Sequence, residues 1–202
     1  MSKGRLEAFS DGVIAIAITL LVLDIKVPEA GGGPLGHALA DQWPSYAAYV
    51  VSFLTVGIIW INHHATIARL AQVDHGVLML NLLLLLVIGV LPFTTSLMAT
   101  YLREDRGQHL AAAVYGGSLL LMGCAFFALQ RYTVGTRRDL VGGRISAEVR
   151  RRILVRNGAG VVPYAVATAV APLSAYATLA ICAAVALYYA VPTDAKATAE
   201  EP

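Results

Sequence analysis

Long apolar runs alternate with short polar segments along this chain of 202 residues. A helix that spans a bilayer needs about 20 mainly apolar residues, and the pattern predicts six such spans. The first runs from Arg5 to Asp24, and the others are predicted at residues 45–62, 76–100, 109–131, 146–171 and 175–191. Between the first two spans, Ile25–Pro44 is predicted to be a linker because Gly and Pro interrupt it repeatedly.

Composition supports a membrane protein of the all-α class. Hydrophobic residues make up 57% of the chain, charged residues 14%, and the mean hydropathy is +0.67. Residues 1–192 are predicted to form a single transmembrane domain of six helices, and residues 193–202 a disordered cytoplasmic tail. We expect no cleavable signal peptide, because acidic residues flank the first apolar run. Cys124 and Cys182 lie in apolar runs, which favours packing roles over a disulfide or a metal site.

The distribution of basic residues predicts the orientation. Six spans would place both termini on one side of the membrane, and Lys and Arg concentrate on the cytoplasmic side. With cytoplasmic termini, 12 of the 15 Lys and Arg residues fall on inner segments, eight of them between Arg131 and Arg156. We therefore expect a protein of the cell membrane with both termini cytoplasmic. The basic segment is interpreted as contacting anionic lipid headgroups rather than nucleic acid.

The first span carries a carboxylate and an aliphatic stripe. Its apolar part, Val13–Leu23, is too short to cross alone, so Asp11 must also enter the membrane, where a carboxylate is costly without a partner. At about 100° per residue, Asp11 points away from one narrow stripe of the helix. That stripe contains Arg5, Phe9, Gly12, Ile16, Leu20 and Leu23, with Thr19 at its edge. Taken alone, such a stripe is typical of packing against another helix.

Several polar side chains are predicted to meet near the inner interface. The topology places Asp11, Trp60, the pair His63 and His64, and Asn81 at a similar depth on the first three helices. Because each would be costly in isolation, we predict one hydrogen-bonded cluster that locks the first helix onto the second and third. Two alternatives remain at this point. One is a metal site, although adjacent histidines point about 100° apart on a helix, and the other is a proton relay through Asp11 and a histidine.

A motif in the first span resembles the signature of a known family. The residues Arg5-x-x-x-Phe9-Ser10-Asp11-Gly12-Val13, followed by Ala15-Ile16-Ala17 and Thr19-Leu20, are similar to those of the transmembrane protein 175 family. These proteins are endolysosomal potassium channels and their bacterial relatives. Trp60, His63-His64, and Asn81 with Leu91-Pro92-Phe93 also look like the family pattern.

The resemblance implies an architecture and a function. It implies the bacterial branch with one six-helix repeat per subunit, assembled as a homotetramer in which the first helix of each subunit lines a central pore. The expected activity is passive, potassium-preferring cation conduction through a hydrophobic gate. The protein would not be an enzyme and would need no cofactor besides the permeant K⁺. The expected partners are other subunits, potassium and related monovalent cations, and membrane lipid, with no nucleic acid.

Individual residues match roles known in the family. By position, Ile16 matches the constricting isoleucine, Leu20 and Leu23 match further hydrophobic layers, and Thr19 matches a threonine implicated in potassium preference. The remaining matches form its structural polar network, namely Arg5, Phe9, Ser10, Asp11, Trp60, His63, His64 and Asn81. A rotated first helix would bring Ile14 and Ile18 to the stripe instead. The sequence therefore does not decide which residue forms the narrowest ring of the pore.

Other classes of function stay open from the sequence. An intramembrane metalloenzyme would use His63, His64 and Asp11, but no His-Glu-x-x-His array is present. A proton-conducting protein or a proton-coupled transporter is a second class, and the latter predicts inverted repeats with a site at the midplane of the membrane. A scaffold without transport activity is the third.

Overall fold

The computed structural model describes residues 2–30, 33–143 and 146–190. The predicted tail, residues 193–202, lies outside the described residues. Eight α-helices follow one another in the described part: α1 Lys3–Leu20, α2 Leu35–Asp41, α3 Trp43–Ala68, α4 His75–Tyr101, α5 Gln108–Gln130, α6 Ala147–Ala159, α7 Val161–Val170 and α8 Ala175–Ala190. A 3₁₀ turn, Leu21–Asp24, extends α1, and a π-helical turn, Arg131–Thr136, extends α5.

The helices follow the predicted spans closely, with differences at the ends. Among the described residues, five helical segments are long and apolar enough to cross a membrane, and α8, at 16 residues, is shorter. The helix of the second span begins earlier than predicted, at Trp43, because Pro44 is well suited to a first helical turn. The prediction of a plain linker at Ile25–Pro44 was wrong, since that segment contains α2.

The predicted fifth span consists of two consecutive helices. Ser146 is the N-cap of α6 as predicted, and its hydroxyl oxygen accepts a hydrogen bond from the Val149 amide at 3.2 Å. The α6 helix has no buried residue and carries four arginines, whereas α7 is mainly apolar and carries no charged residue. At ten residues, α7 is only about 15 Å long. Together the two helices, Ala147–Val170, are one of the five segments long and apolar enough to cross a membrane, and the arginines are confined to the first of them.

Buried aliphatic residues and a few hydroxyls hold the bundle together. The core side of α4 contributes Leu84, Ile88 and Leu91, all fully buried. Deeper in the bundle, the Ser52 hydroxyl of α3 is hydrogen-bonded to the Thr95 hydroxyl at 2.8 Å and to the Tyr115 hydroxyl at 3.0 Å. Lipid provides little hydrophobic drive for helix association, so interhelical hydrogen bonds of this kind help fix the packing.

An ionic clamp ties the segment after α5 to the loop between α3 and α4. Asp74 caps α4 through the Val77 amide at 2.9 Å, and its other oxygen accepts a hydrogen bond from Arg137 at 2.7 Å. Arg137 also pairs with Asp139 at 2.8 Å, and the Ala71 amide donates to the Leu140 carbonyl at 2.8 Å. The Val77 amide, the Tyr132 hydroxyl and Arg137 lower the pKa of Asp74, and Arg137 lowers the pKa of Asp139.

The clamp is expected to open in acid. A carboxyl whose pKa is lowered by folding contributes stability that is complete above its ordinary pKa of 3.8 and disappears as the pH falls through the lower folded value. After correction for intrinsic exchange, the Ala71 amide should therefore be better protected from hydrogen exchange at pH 6 than at pH 3. In Asp74→Asn the protection should already be reduced at pH 6. As a control, Asp41→Asn removes the exposed ion pair with Arg103 and should leave the protection of the Ala71 amide as in wild type. Equal protection of the wild-type Ala71 amide at both pH values would contradict the clamp.

Candidate functional site

One face of α1 is left uncovered by the rest of the chain. Ile16 is 62% exposed and Leu23 is 70% exposed, whereas Ile14 is 2% exposed. The remaining members of the predicted stripe are exposed as well, namely Arg5, Phe9, Gly12, Thr19 and Leu20. The rotated alternative, with Ile14 and Ile18 on this face, does not describe this subunit, because Ile14 is in the core and Ile18 packs against it.

The opposite face of α1 explains this orientation. Its buried positions are Leu6, Ser10, Ile14, Ala17 and Leu21, spaced three or four residues apart. This face packs against α3 and α4. Small side chains at Ser10 and Ala17 leave room for close helix approach. The packing fixes the rotation of α1, and the aliphatic stripe consequently faces outward.

A buried hydrogen-bonded chain joins α1, α4 and α3. The Asn81 amide nitrogen donates to the Ser10 hydroxyl at 3.0 Å, and the Asn81 side-chain oxygen lies 2.7 Å from His63 Nε2. Ser10 in turn donates to the Leu6 carbonyl at 2.8 Å. An amide oxygen only accepts hydrogen bonds, so Nε2 of His63 carries the proton. All three side chains are essentially inaccessible to solvent.

Two further contacts join α1 to α3 at its more exposed edge. The indole nitrogen of Trp60 donates to Asp11 at 2.9 Å, and His64 Nδ1 lies 3.0 Å from a Glu7 carboxylate oxygen. Glu7 and Asp11 are one turn apart on α1, as are Trp60 and His64 on α3. The two contacts therefore form consecutive rungs between the helices.

The predicted single cluster is thus divided into separate groups. Asp11 accepts its hydrogen bond from Trp60 and bonds to neither histidine. His63 is paired with Asn81, and His64 is paired with Glu7. Arg5 and Phe9 are exposed, and Arg5 has no side-chain partner among the described residues. Sequence reasoning missed Glu7, although its position one turn before Asp11 was a usable signal. Within the described ranges, no three His, Cys, Asp or Glu side chains converge as metal ligands would.

Removal of the Trp60 donor should weaken the attachment of α1. Trp60→Phe keeps most of the aromatic surface but leaves Asp11 without its indole partner, at an expected cost of about 1 kcal/mol. The coupling is tested by a double-mutant cycle with Asp11→Asn, read as the thermal unfolding midpoint in detergent. The double variant should lose less than the sum of the two single losses, since both remove one contact. Strictly additive losses would mean that the contact contributes nothing.

The fold and the site together define a multi-span helical membrane protein in which α1 presents an aliphatic face that the subunit leaves uncovered. Comparison with known proteins identifies its family. The sequence model described as endosomal/lysosomal potassium channel TMEM175 matches residues 5–92, a range that contains every predicted site residue. A potassium channel of Streptomyces collinus is 50% identical over 188 residues, covering 93% of this chain and 91% of that protein. This chain belongs to the TMEM175 family.

A solved structure and an animal relative extend the comparison. The crystal structure described as a lysosomal potassium-selective channel TMEM175 homolog from Chamaesiphon minutus matches with a TM-score of 0.82 at 36% identity. The match covers 93% of this chain and 96% of that one. The human endosomal/lysosomal proton channel TMEM175 is 38% identical over 117 residues, which cover 54% of this chain and 23% of the human protein.

Proposed function

We propose that this protein is a potassium-preferring cation channel that conducts passively through a pore lined by α1 of each subunit. The observation that carries the proposal is the aliphatic face of α1, which bears the family signature and which the subunit itself leaves uncovered. The relatives that cover nearly the whole chain are named potassium channels, which supports potassium as the permeant ion.

The proposed pore requires several copies of the chain. One helix face cannot enclose an ion, whereas four copies around an axis would bring Ile16, Leu20 and Leu23 together as successive rings. The rings at Ile16 and Leu20 would be about 6 Å apart along the axis. Narrow apolar rings can gate by dewetting, and this is the gate that we propose. Thr19 lies between these rings, and its hydroxyl donates a hydrogen bond to the Ile16 carbonyl at 2.8 Å. The lone pairs of the hydroxyl oxygen therefore remain available to a cation or to water in the pore.

The polar contacts have a positioning role in this mechanism. The Ser10–Asn81–His63 chain and the two rungs to Trp60 and His64 fix α1 on α3 and α4. They thereby determine which side chains project into the pore. No side chain acts as a catalyst and no resident cofactor takes part. The proposed setting is the cell membrane with cytoplasmic termini, with lipid and the other subunits as partners and no nucleic acid.

Proton conduction is the second candidate. The human relative is named a proton channel, and Glu7, Asp11 and His64 are titratable groups near one end of α1. Glu7 and Asp11, however, contact α3 rather than joining the exposed stripe, and His64 belongs to α3 and is the partner of Glu7. Their placement favours a structural role over a proton path along the pore.

Ion flux into liposomes tests the proposal. The purified protein is reconstituted, and flux is compared under equal potassium and sodium gradients, with a pH-sensitive dye reporting protons in the same vesicles. The channel proposal predicts potassium flux larger than sodium flux, with protein-free liposomes as the control. Flux of protons alone would favour the second candidate. Absence of any cation flux from a correctly assembled sample would contradict both.

A further inference from the structure

An apolar groove lies between α5 and α7, on the outer surface of the subunit. Its volume is about 550 Å³, within the range of ligand-binding clefts. Cys124 and Phe127 form the α5 wall, and Gly158, Val162, Ala165 and Ala169 are among the residues of the other wall. The exposure of Val162, at 60%, shows that the groove opens away from the core.

The shape of the groove follows from small residues next to an aromatic ring. Gly158, Ala165 and Ala169 lie on one stripe of the consecutive helices α6 and α7. The Phe127 ring lies 3.2 Å from the position that a β-carbon would take on Gly158. A side chain at position 158 would therefore require the Phe127 ring to shift by a few tenths of an ångström. Every residue that lines the groove is apolar or glycine, so the groove itself offers no charged group to a soluble anion.

Two exposed arginines stand beyond one end of this groove. Arg131 follows Phe127 by one helical turn, and Arg151 precedes Gly158 by two turns on the same stripe. The stem of Arg131 and the side chain of Leu154 both lie within 4 Å of the position of a β-carbon on Gly135. Since Leu154 is one turn from Arg151, the two arginines belong to the same end of the groove.

Within the described residues these arginines have no ionic partner, as is also the case for Arg138, Arg150 and Arg156, whereas two of their neighbours are paired. Arg137 is held by Asp74 and Asp139, and Arg152 lies 3.4 Å from Glu148. Within residues 2–30, 33–143 and 146–190, neither Arg131 nor Arg151 has a carboxylate within salt-bridge distance. The two unpaired guanidinium groups and the apolar groove together form a site with one positively charged end and a hydrophobic remainder.

We propose that this groove binds one anionic glycerophospholipid, with an acyl chain along α7 and the phosphate between Arg131 and Arg151. Guanidinium groups bind phosphate oxygens in a bidentate manner, and basic segments at a membrane surface attract anionic headgroups. A two-fold contact between two copies of the chain through this face is disfavoured, because it would bring like-charged arginines together. The proposal concerns a face other than the α1 stripe and does not depend on ion conduction.

Lipid binding to the assembled protein tests the charged end. Native mass spectrometry measures the apparent affinity for phosphatidylglycerol and, separately, for phosphatidylcholine with the same acyl chains. Arg131→Gln/Arg151→Gln should weaken phosphatidylglycerol binding about tenfold or more and leave phosphatidylcholine binding unchanged, since each basic residue contributes roughly 1 kcal/mol to anionic lipid binding. The charge-matched control, Arg103→Gln/Arg106→Gln, should bind both lipids as wild type does. Unchanged phosphatidylglycerol binding in the Arg131/Arg151 variant would overturn the proposal.

A second variant tests the apolar body of the groove. Ala165→Trp fills the groove without a change of charge, and it should weaken phosphatidylglycerol binding while the protein still elutes as a single assembled species. Two results would overturn the lipid assignment. One is competition by glycerol 3-phosphate at the same concentration as the intact lipid, which would identify a phosphate site. The other is efficient disulfide cross-linking of Cys124 between subunits, which would identify an interface between copies.

Discussion

Ile16→Asn is expected to raise the potassium flux of reconstituted protein by about tenfold or more and to reduce the preference for potassium over sodium. An amide in place of each sec-butyl group would let water remain in the proposed ring at position 16, which lowers the barrier of a hydrophobic gate. A barrier reduction of only about 1.4 kcal/mol gives a tenfold change in rate. The measurement is potassium and sodium uptake into liposomes at equal protein density.

The matched control is a side chain of equal exposure on another helix. Leu121 on α5 is 61% exposed, against 62% for Ile16, and it is not part of α1. Leu121→Asn should leave both fluxes at the wild-type level. Ile14→Asn should instead destabilise the fold, because it places an amide in the core. If the Leu121 variant raised flux as much as the Ile16 variant, the effect would come from the membrane perturbation and not from a pore.

Asn81→Leu is expected to have the largest effect on stability. The substitution removes the partner of His63 and the donor to Ser10 in a site that solvent does not reach. A buried polar group without a partner costs about 1–3 kcal/mol, and His63 becomes such a group while Ser10 keeps its bond to the Leu6 carbonyl, so the predicted loss is roughly 1–3 kcal/mol. The thermal unfolding midpoint in detergent should fall, and the assembled fraction in size-exclusion chromatography should fall with it.

Asn62→Leu provides the comparison for Asn81. Within the described residues, the Asn62 side-chain amide donates one hydrogen bond, to the Ile58 carbonyl of its own helix. The side chain is partly buried. Its loss should cost well under half of the Asn81 effect. Similar losses in the two variants would mean that the chain from Ser10 to His63 has no special part in holding α1.

The orientation of α1 was largely predictable from its sequence. Helical periodicity placed Ile16, Leu20 and Leu23 on one face and Asp11 on the other, and the structure has the same arrangement. Periodicity alone could not decide whether Ile14 or Ile16 faces the core, since both are isoleucines of equal hydrophobicity. The difference arises from the buried series Leu6, Ser10 and Ile14, which depends on how α3 and α4 meet α1.

The polar partners were predictable as a set but not as pairs. Asp11, Trp60, His63 and Asn81 all make interhelical contacts, as expected of costly polar groups in an apolar setting. Which group meets which depends on helix register, and register is set by tertiary packing. Glu7 was overlooked because it precedes the apolar run, yet register brings it to His64.

Local signals explain the misread segments of the fold. The linker prediction rested on Pro28, Pro34 and the glycines between them, but Leu35–Asp41 contains no breaker apart from Gly36 and forms α2. The fifth span was predicted to follow the N-cap Ser146 and to run to about Ala171, and residues 147–170 do form a segment long and apolar enough to cross a membrane, although it consists of two helices. The chain divides at Gly160, where glycine weakens the helix and the basic α6 meets the apolar α7.

The most direct test of the account is block of potassium flux through a thiol placed at position 16. Ile16→Cys is prepared in a Cys124→Ala background, so that the remaining native thiol, Cys182, is fully buried. Silver ions, which bind soft thiolates, should abolish potassium flux in this variant and leave the Leu121→Cys equivalent conducting. If mass spectrometry shows that the thiol at position 16 has reacted and potassium flux continues unchanged, the α1 face does not line the pathway, and the central claim is wrong.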